Sequence, residues 1–506
     1  MRRSLVLGGV LASLALAMVL VPGRASANGF ELPGASTRAL GRGDAFVARS
    51  DEPTTLLYDP ANLADLGGVQ LNLNVNNLIT HSCATLTGAY PDGTPYPKVC
   101  NSGTFAPVPQ IAVSWRVTDK VGLGIGIFAP VSPGFSQKFG SSEKGDIPPG
   151  LIDVDVNGMT ERRAAPTRYQ LIEEDLIVLH PTIGIGVALN DRVRVGFAFS
   201  STIVLNKFTT AVAAFGGTDP RNDIVSKINV HDWFVPGITM SIHAVPIDSL
   251  DVVAAFIWRD KIRGKGDISL WPLAYRNVGS GMSGMNMNEG FQKFSGARLT
   301  AGYPWRLSFG LRYASRIVPR IKDRAAAEKA SGKVEDQMKN ERWDIEGDIV
   351  YSGTSEVDAF VVRPPAGMVS VDGIPIPLPE ELTIPHQWRN ELSVRVGGDW
   401  NVLPGRFTMR AGFSFENGAA PKSLTNLDFQ PFRRYGIHAG GTLRIKRTDL
   451  SLAYAFFRNE NVDLTKTRAA LPQIVGVPNT ARAVVNAGRY RSWYNVIGGS
   501  INVHLR

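Results

Sequence analysis

Two cysteines and seven scattered histidines in 506 residues are too few for a zinc scaffold. Charged residues are slightly sparse, at 20%. One apolar run alone is long enough to cross a bilayer as a helix, and it lies at the extreme N-terminus, which excludes a helical membrane protein. Catalytic signatures are missing. There is no Gly-x-Ser-x-Gly elbow, no Cys-x-x-Cys, no His-Glu-x-x-His and no Walker loop. Neither an enzyme activity nor a cofactor or metal is expected. What is plentiful is glycine and proline, at 52 and 32 residues. The glycines have no triplet period, which excludes collagen, and 44% hydrophobic residues exclude global disorder.

The N-terminus sets the compartment. Arg2 and Arg3 precede an apolar stretch from Ser4 to Val21, which Pro22 and Gly23 break. Ala25-Ser26-Ala27 is a small-residue cleavage site, so residues 1–27 read as an export signal. Arg2, Arg3 and Arg24 would leave with it, lowering the formal charge from +9 to +6. The remaining surplus is spread along the chain, so no nucleic-acid partner is expected. Export also permits a disulfide between Cys83 and Cys100.

The recurrent pattern is alternation. Leu392, Val394 and Val396 alternate with Ser393, Arg395 and Gly397; Phe407, Met409, Ala411, Phe413 and Phe415 alternate with Thr408, Arg410, Gly412, Ser414 and Glu416. A period of two puts the two sets on opposite faces of a strand. Short turns such as Thr118-Asp119-Lys120 and Arg447-Thr448-Asp449 alternate with long loops rich in Gly, Pro and Asn. An exported chain with this rhythm reads as an all-β, antiparallel transmembrane barrel of the bacterial outer membrane. Strands are expected near 67–79, 107–117, 121–130, 171–189, 192–204, 229–245, 249–262, 296–318, 342–358, 386–402, 405–416, 434–446, 449–461 and 489–505, fourteen in all. The strand 296–318 is kept whole despite Pro304, because splitting it would give an odd number. The charged, Ala-rich segment Ile321–Glu341 reads as a short periplasmic helix.

Residues 28–66 precede the first strand and match none of this. They are too Gly-rich for a folded domain and too apolar for a free tail. A barrel this wide cannot fill its lumen with its own side chains. A compact segment folded into the lumen, a hatch, resolves both difficulties, leaving 67–506 as the barrel.

Leu40-Gly41-Arg42-Gly43-Asp44-Ala45-Phe46-Val47-Ala48, Asp59-Pro60-Ala61-Asn62-Leu63-Ala64, Phe128-Ala129-Pro130 and the run from Trp388 to Gly412 carry a likeness. Together the mature chain resembles the FadL family of outer-membrane transporters for long-chain fatty acids and other hydrophobic compounds. Asp59 stands where the family pattern has Asn, and Asn62 where it has Gly. The resemblance implies fourteen strands, an N-terminal hatch, and lateral release of substrate through a kinked third strand. It implies a hydrophobic small molecule and membrane lipid as partners. The chain is expected to act as a monomer.

Candidate site residues follow. Gly122, Gly124 and Gly126 share the inward face of the third strand, where missing side chains leave a gap or bend for lateral exit, or room for hatch packing. Parity places Arg116, Arg192, Arg194, Arg306, Arg312, Arg395, Arg410, Arg444 and Lys446 inside, with Asp344, Glu346, Asp348, Glu391 and Asp399. Arg116 is singled out as a contact for a carboxylate, whereas Arg395 and Arg410 have acids nearby. Arg410 faces Gly397 or Asp399, depending on register. Trp271, Met285, Phe208 and Phe215 are assigned to long extracellular loops as an apolar catch basin. Phe30 and Leu32 of the hatch join the candidate ligand contacts, and Asp59, Pro60 and Ala61 mark the hatch turn. An aqueous porin and a structural or adhesive surface barrel are the competing readings.

Overall fold

The computed structural model describes residues 31–101, 105–130, 132, 136–140, 147–273, 291–318, 336–371, 374–476 and 480–505. The expected export signal, Phe30, Met285 and all but the end of the 321–341 segment lie outside these residues.

Fourteen antiparallel strands close into a barrel. They are β1 (Val69–Leu86), β2 (Phe105–Arg116), β3 (Val121–Phe128), β4 (Glu173–Ala188) and β5 (Val193–Ala213). Next come β6 (Asp223–Ile247), β7 (Leu250–Arg259 and Ile262–Pro272), β8 (Gln292–Ala301 and Arg306–Arg316) and β9 (Glu341–Ser352). The ring continues with β10 (Glu391–Leu403), β11 (Phe407–Asn417), β12 (Arg433–Ile445), β13 (Thr448–Asn459) and β14 (Gly488–His504). β1 pairs with both β2 and β14, in the registers Leu71↔Val113 and Leu71↔Val503, which closes the ring. First and last strands are thereby paired, as a barrel in lipid requires.

The alternation is inverted relative to a soluble protein. On β1, Leu73 and Val75 are 43% and 40% exposed, whereas Asn72 and Asn74 are 1% exposed. Apolar side chains face outward and polar ones inward on strand after strand, as lipid outside and a polar lumen inside demand. Aromatic pairs mark the two rims of the apolar band. Tyr313 and Trp343 meet at 5.7 Å at one end of the β8–β9 pair, and Trp305 and Tyr351 at 5.7 Å at the other. The chain is a multi-pass β-barrel of the outer-membrane type.

Three details differ from the sequence expectation. Strand eight is broken at Gly302–Trp305, around the proline that lacks an amide donor, yet the count stays at fourteen. β7 is broken at the same height, at Asp260-Lys261, so lower half pairs with lower half (Ile257↔Arg306) and upper with upper (Ile262↔Ala301). β6 bulges at this level too, between Asp232 and Val235, and extrudes Trp233 and Phe234. Second, β1, β5, β6 and β7 run well past the expected boundaries, so Phe208 on β5 and Trp271 on β7 belong to strands rather than loops. Their outer parts leave the bilayer, where no lipid-facing alternation is required. Third, Arg192 and Lys446 sit exposed at turns and not in the lumen.

Residues 31–66 lie inside the ring. α1 (Thr37–Gly41) starts at Ser36, whose hydroxyl accepts from the Ala39 amide. α2 (Thr55–Tyr58) leads into a 3-10 turn at Pro60–Asp65, capped by Asp59 with proline at its first position.

Candidate functional site

The lumen segment is held by side chains from all round the wall. Arg42, fully buried, donates to Asp344 at 2.8 Å, Glu346 at 3.0 Å and Asp399 at 2.5 Å. The carboxylates of β9 also accept backbone amides: Asp348 from Phe46 at 2.9 Å and Glu346 from Ala48 at 2.6 Å. Asp65 pairs with Arg194 at 2.7 Å. Asp59 contacts His243 Nδ1 at 2.7 Å, and Asn62 donates to the Ser50 carbonyl at 2.9 Å. The two departures from the family pattern therefore each have a partner here. Arg395 pairs with Asp44, and Arg410 faces Asp399 across the ladder at 3.2 Å, which settles its register.

Gly122, Gly124 and Gly126 face the lumen. A Cβ on Gly122 would fall 1.9 Å from the Leu63 carbonyl oxygen, and one on Gly196 of β5 would fall 2.0 Å from the Ala61 nitrogen. Neighbouring strands thus present a flat bed on which the turn containing Pro60 and Ala61 lies.

Just above that bed the ladder between described residues is interrupted. β2 pairs with β1 out to Phe105, but with β3 only from Ile111 inward. β3 ends at Phe128↔His180, and the next described partner of β4 on this side is Gln137, opposite Glu174. Among the described residues, Asp175–Leu179 therefore has no ladder partner on its β2 side. Gln110 Nε2 reaches into the interval and donates to the Ala129 carbonyl at 2.9 Å and the Ala35 carbonyl at 2.6 Å.

Two chambers meet at this place. The upper one is lined by Leu176 and Val178 of β4, with Val204, Phe208, Ile228, Val230, Ile262, Leu299, Phe360, Val362, Ile384 and Phe429. Glu174, Asn206, His231 and Asp232 are its main polar residues. The lower one is charged, with Glu31, Asp44, His180, Arg259, Arg306 and Arg395 in its wall. Pro130 lines both. In the lower chamber Glu31 accepts from Arg306 at 2.5 Å and from the Tyr303 hydroxyl at 3.0 Å. Burial alone would raise the Glu31 carboxyl; the Arg306, Arg259 and His180 charges outweigh it and hold the group at about 2.

The structure brings together only part of the expected site. Leu32 lines the lower chamber, and Phe208 the upper one. Arg116 is at the far end of β2, where its guanidinium meets Asp119 at 3.5 Å, and it is in neither lining. Trp271 stacks with Phe291 at 5.9 Å among loop side chains, and Phe215 is exposed. Cys83, on the outer part of β1, is disulfide-bonded to Cys100 of the short strand Val99–Cys100 beside it. Sequence reasoning passed over Arg259, His180, Tyr303 and Phe360. The break motif Gly302-Tyr303-Pro304-Trp305 was the available signal, since a strand interrupted in a barrel turns a side chain out of the alternation. Ser414 and His438 are hydrogen-bonded at 2.9 Å, but the other ring nitrogen is bonded to the Leu40 carbonyl at 2.8 Å, so no carboxylate orients this pair.

Fold and lumen define a transmembrane β-barrel with an internal segment and an apolar chamber above it. The same fold is found in a FadL homologue from Pseudomonas aeruginosa, 15% identical, with a TM-score of 0.66 over 95% of this chain and 100% of that one. The Ralstonia pickettii toluene transporter TbuX is 14% identical, with a TM-score of 0.58 over 94% of this chain and 99% of that one. The Pseudomonas putida toluene transporter TodX is 15% identical, with a TM-score of 0.57 over 94% and 98%. No protein-family model matches the chain, and no curated protein matches it by sequence.

Proposed function

We propose that this protein carries hydrophobic molecules, long-chain fatty acids first among them, across the outer membrane without a cofactor or energy source. One observation carries the reading: an almost wholly apolar chamber stands directly above a lumen whose wall carries many buried charged side chains, Asp344, Glu346, Arg312 and Arg395 among them. Maintaining that surface in a wet lumen is unfavourable unless an apolar guest covers it. The stretch of β4 that has no ladder partner among the described residues lines the same chamber, which supports a sideways path into lipid for the guest. The lumen segment below it supports sealing of the axial path, and this favours the transporter over a general porin. Two of the proteins that share the fold are named as toluene transporters, in keeping with an apolar cargo.

The test is to fill the chamber. Val204→Trp and Leu299→Trp should each lower binding of palmitate and of hexadecanol by the purified barrel at least about tenfold, since the added ring volume takes the guest's place. Undiminished binding of both ligands in both variants would refute the chamber as the site.

A further inference from the structure

The lower chamber already contains a carboxylate, and it belongs to the chain itself. Glu31 sits where Arg306, Tyr303 and His180 converge: Arg306 Nη2 at 2.5 Å, the Tyr303 hydroxyl at 3.0 Å and His180 Nε2 at 3.9 Å. Arg259 lies over the Tyr303 ring, 5.1 Å from its centroid. The seat offers more than Glu31 uses. His180 Nε2 and Arg259 Nε are buried and make no hydrogen bond. The chamber wall also carries three guanidiniums, Arg259, Arg306 and Arg395, against the two carboxylates of Glu31 and Asp44. Tyr303 turns its hydroxyl to this seat and also lines the apolar chamber above. The seat thus adjoins the apolar chamber, and an acid whose chain lay there would bring its head toward Glu31.

We infer that Glu31 is an internal stand-in for a substrate carboxylate, so that acids compete with it for the Arg306–Tyr303–His180 seat while uncharged hydrocarbons do not. The inference rests on the transport reading and adds to it a residue that sets the preference between acids and neutral molecules. Two like charges cannot share one guanidinium without loss, so a bound acid must displace Glu31 or pay its repulsion in a poorly solvated site. Either way Glu31 weakens acid binding without bearing on the tail.

The readout is the ratio of palmitate affinity to hexadecanol affinity, measured by calorimetry on the purified full-length barrel in detergent at pH 7.5. Glu31→Ala empties the seat, and Glu31→Gln removes the charge while keeping the shape. The ratio should rise roughly tenfold or more in Glu31→Ala, and by less in Glu31→Gln, as a charge-assisted contact to Arg306 becomes available to the ligand. Arg306→Gln should lower the ratio. A ratio within about twofold of wild type, or lower, in both Glu31 variants overturns the inference, because a charge-assisted contact is worth about tenfold or more. Hexadecanol binding with an unmoved ratio defeats the inference alone. Absence of binding of either ligand to wild type defeats the transport reading, and the inference with it.

Discussion

Asp59 and His243 meet across the lumen, Oδ2 of one lying 2.7 Å from Nδ1 of the other, with the opposite ring nitrogen 3.3 Å from Asp251. The imidazole thus ties the turn of the lumen segment to β6 and β7, and Asp251 passes the contact on to Arg312 at 2.9 Å. All these groups are buried. His243→Ala would leave two carboxylates facing a void. Removing one partner of a buried polar pair typically costs about 3–5 kcal/mol. The loss should fall on the seating of the segment rather than on the barrel, which keeps its full ladder. The expected outcome is normal membrane assembly with raised ion leak in planar bilayers. Asp59→Asn keeps a hydrogen-bonding side chain and should leak less than His243→Ala; equal leak would show that the contact is not what seats the turn.

Gly122 offers a sharper test of the bed beneath that turn. A methyl group there would fall 1.9 Å from a carbonyl oxygen of the backbone, far inside contact distance. No side-chain rotation relieves a clash with main chain. Gly122→Ala should therefore displace the lumen segment, with a destabilisation of about 1–3 kcal/mol, the usual range for overpacking. Gly499, with nothing within 4 Å of an added Cβ, is the control, and Gly499→Ala should be silent. Limited proteolysis of the segment in folded barrels reads the difference. Equal resistance in both variants would mean that the turn has room to move.

The fold was legible because lipid imposes a rule on sequence: outward residues must be apolar, so alternation survives in Leu71, Leu73 and Val75 or Phe413 and Phe415. It became illegible where lipid stops. Above the membrane rim β5 and β6 continue with Phe208 and Ile228 turned inward, and no alternation distinguishes them from loops. The lumen contacts were half legible. Parity placed Arg306, Arg312, Arg395 and Arg410 inside, but which acid each meets depends on residues hundreds of positions away, such as Asp44 for Arg395. Arg116 shares that parity and lies at the wrong height, since alternation gives the face of a strand and not the level along it.

Acid should loosen the Glu31 contact in a predictable window. Its carboxyl is held at about 2, below the ordinary value of 4.5. A depressed folded value means stability that is complete above the unfolded value and is lost as pH falls toward the folded one. Thermal melts of the wild-type barrel should therefore change little from pH 7 to about 5, then fall as the pH drops from about 4.5 toward 2. Glu31→Gln has no such proton to take up, so its melting point should fall less over that lower interval. Parallel curves would show that Glu31 is not held by its cationic neighbours.

Deletion of Glu31–Leu66 behind an intact export leader separates the barrel from what fills it. Every rung of the closed ladder lies in β1–β14, so the sheet should assemble. Asp344, Glu346 and Asp399 lose Arg42, but the vacated lumen admits water, which solvates them in its place. The segment supplies the only buried apolar filling between opposite walls at this level among the described residues: Leu40 and Leu32 against β13 and β14, and Leu56 and Leu63 against β2, β3 and β5. A ring of this strand number stays open without filling of that kind. The deletion variant should conduct ions steadily in planar bilayers, where the wild type should be nearly closed. It should also lose any preference for apolar cargo, since small polar solutes would pass down the axis. A wild-type barrel that already conducts like the deletion variant would favour the porin reading, and a deletion variant that stays sealed would mean that the extracellular loops close the lumen instead.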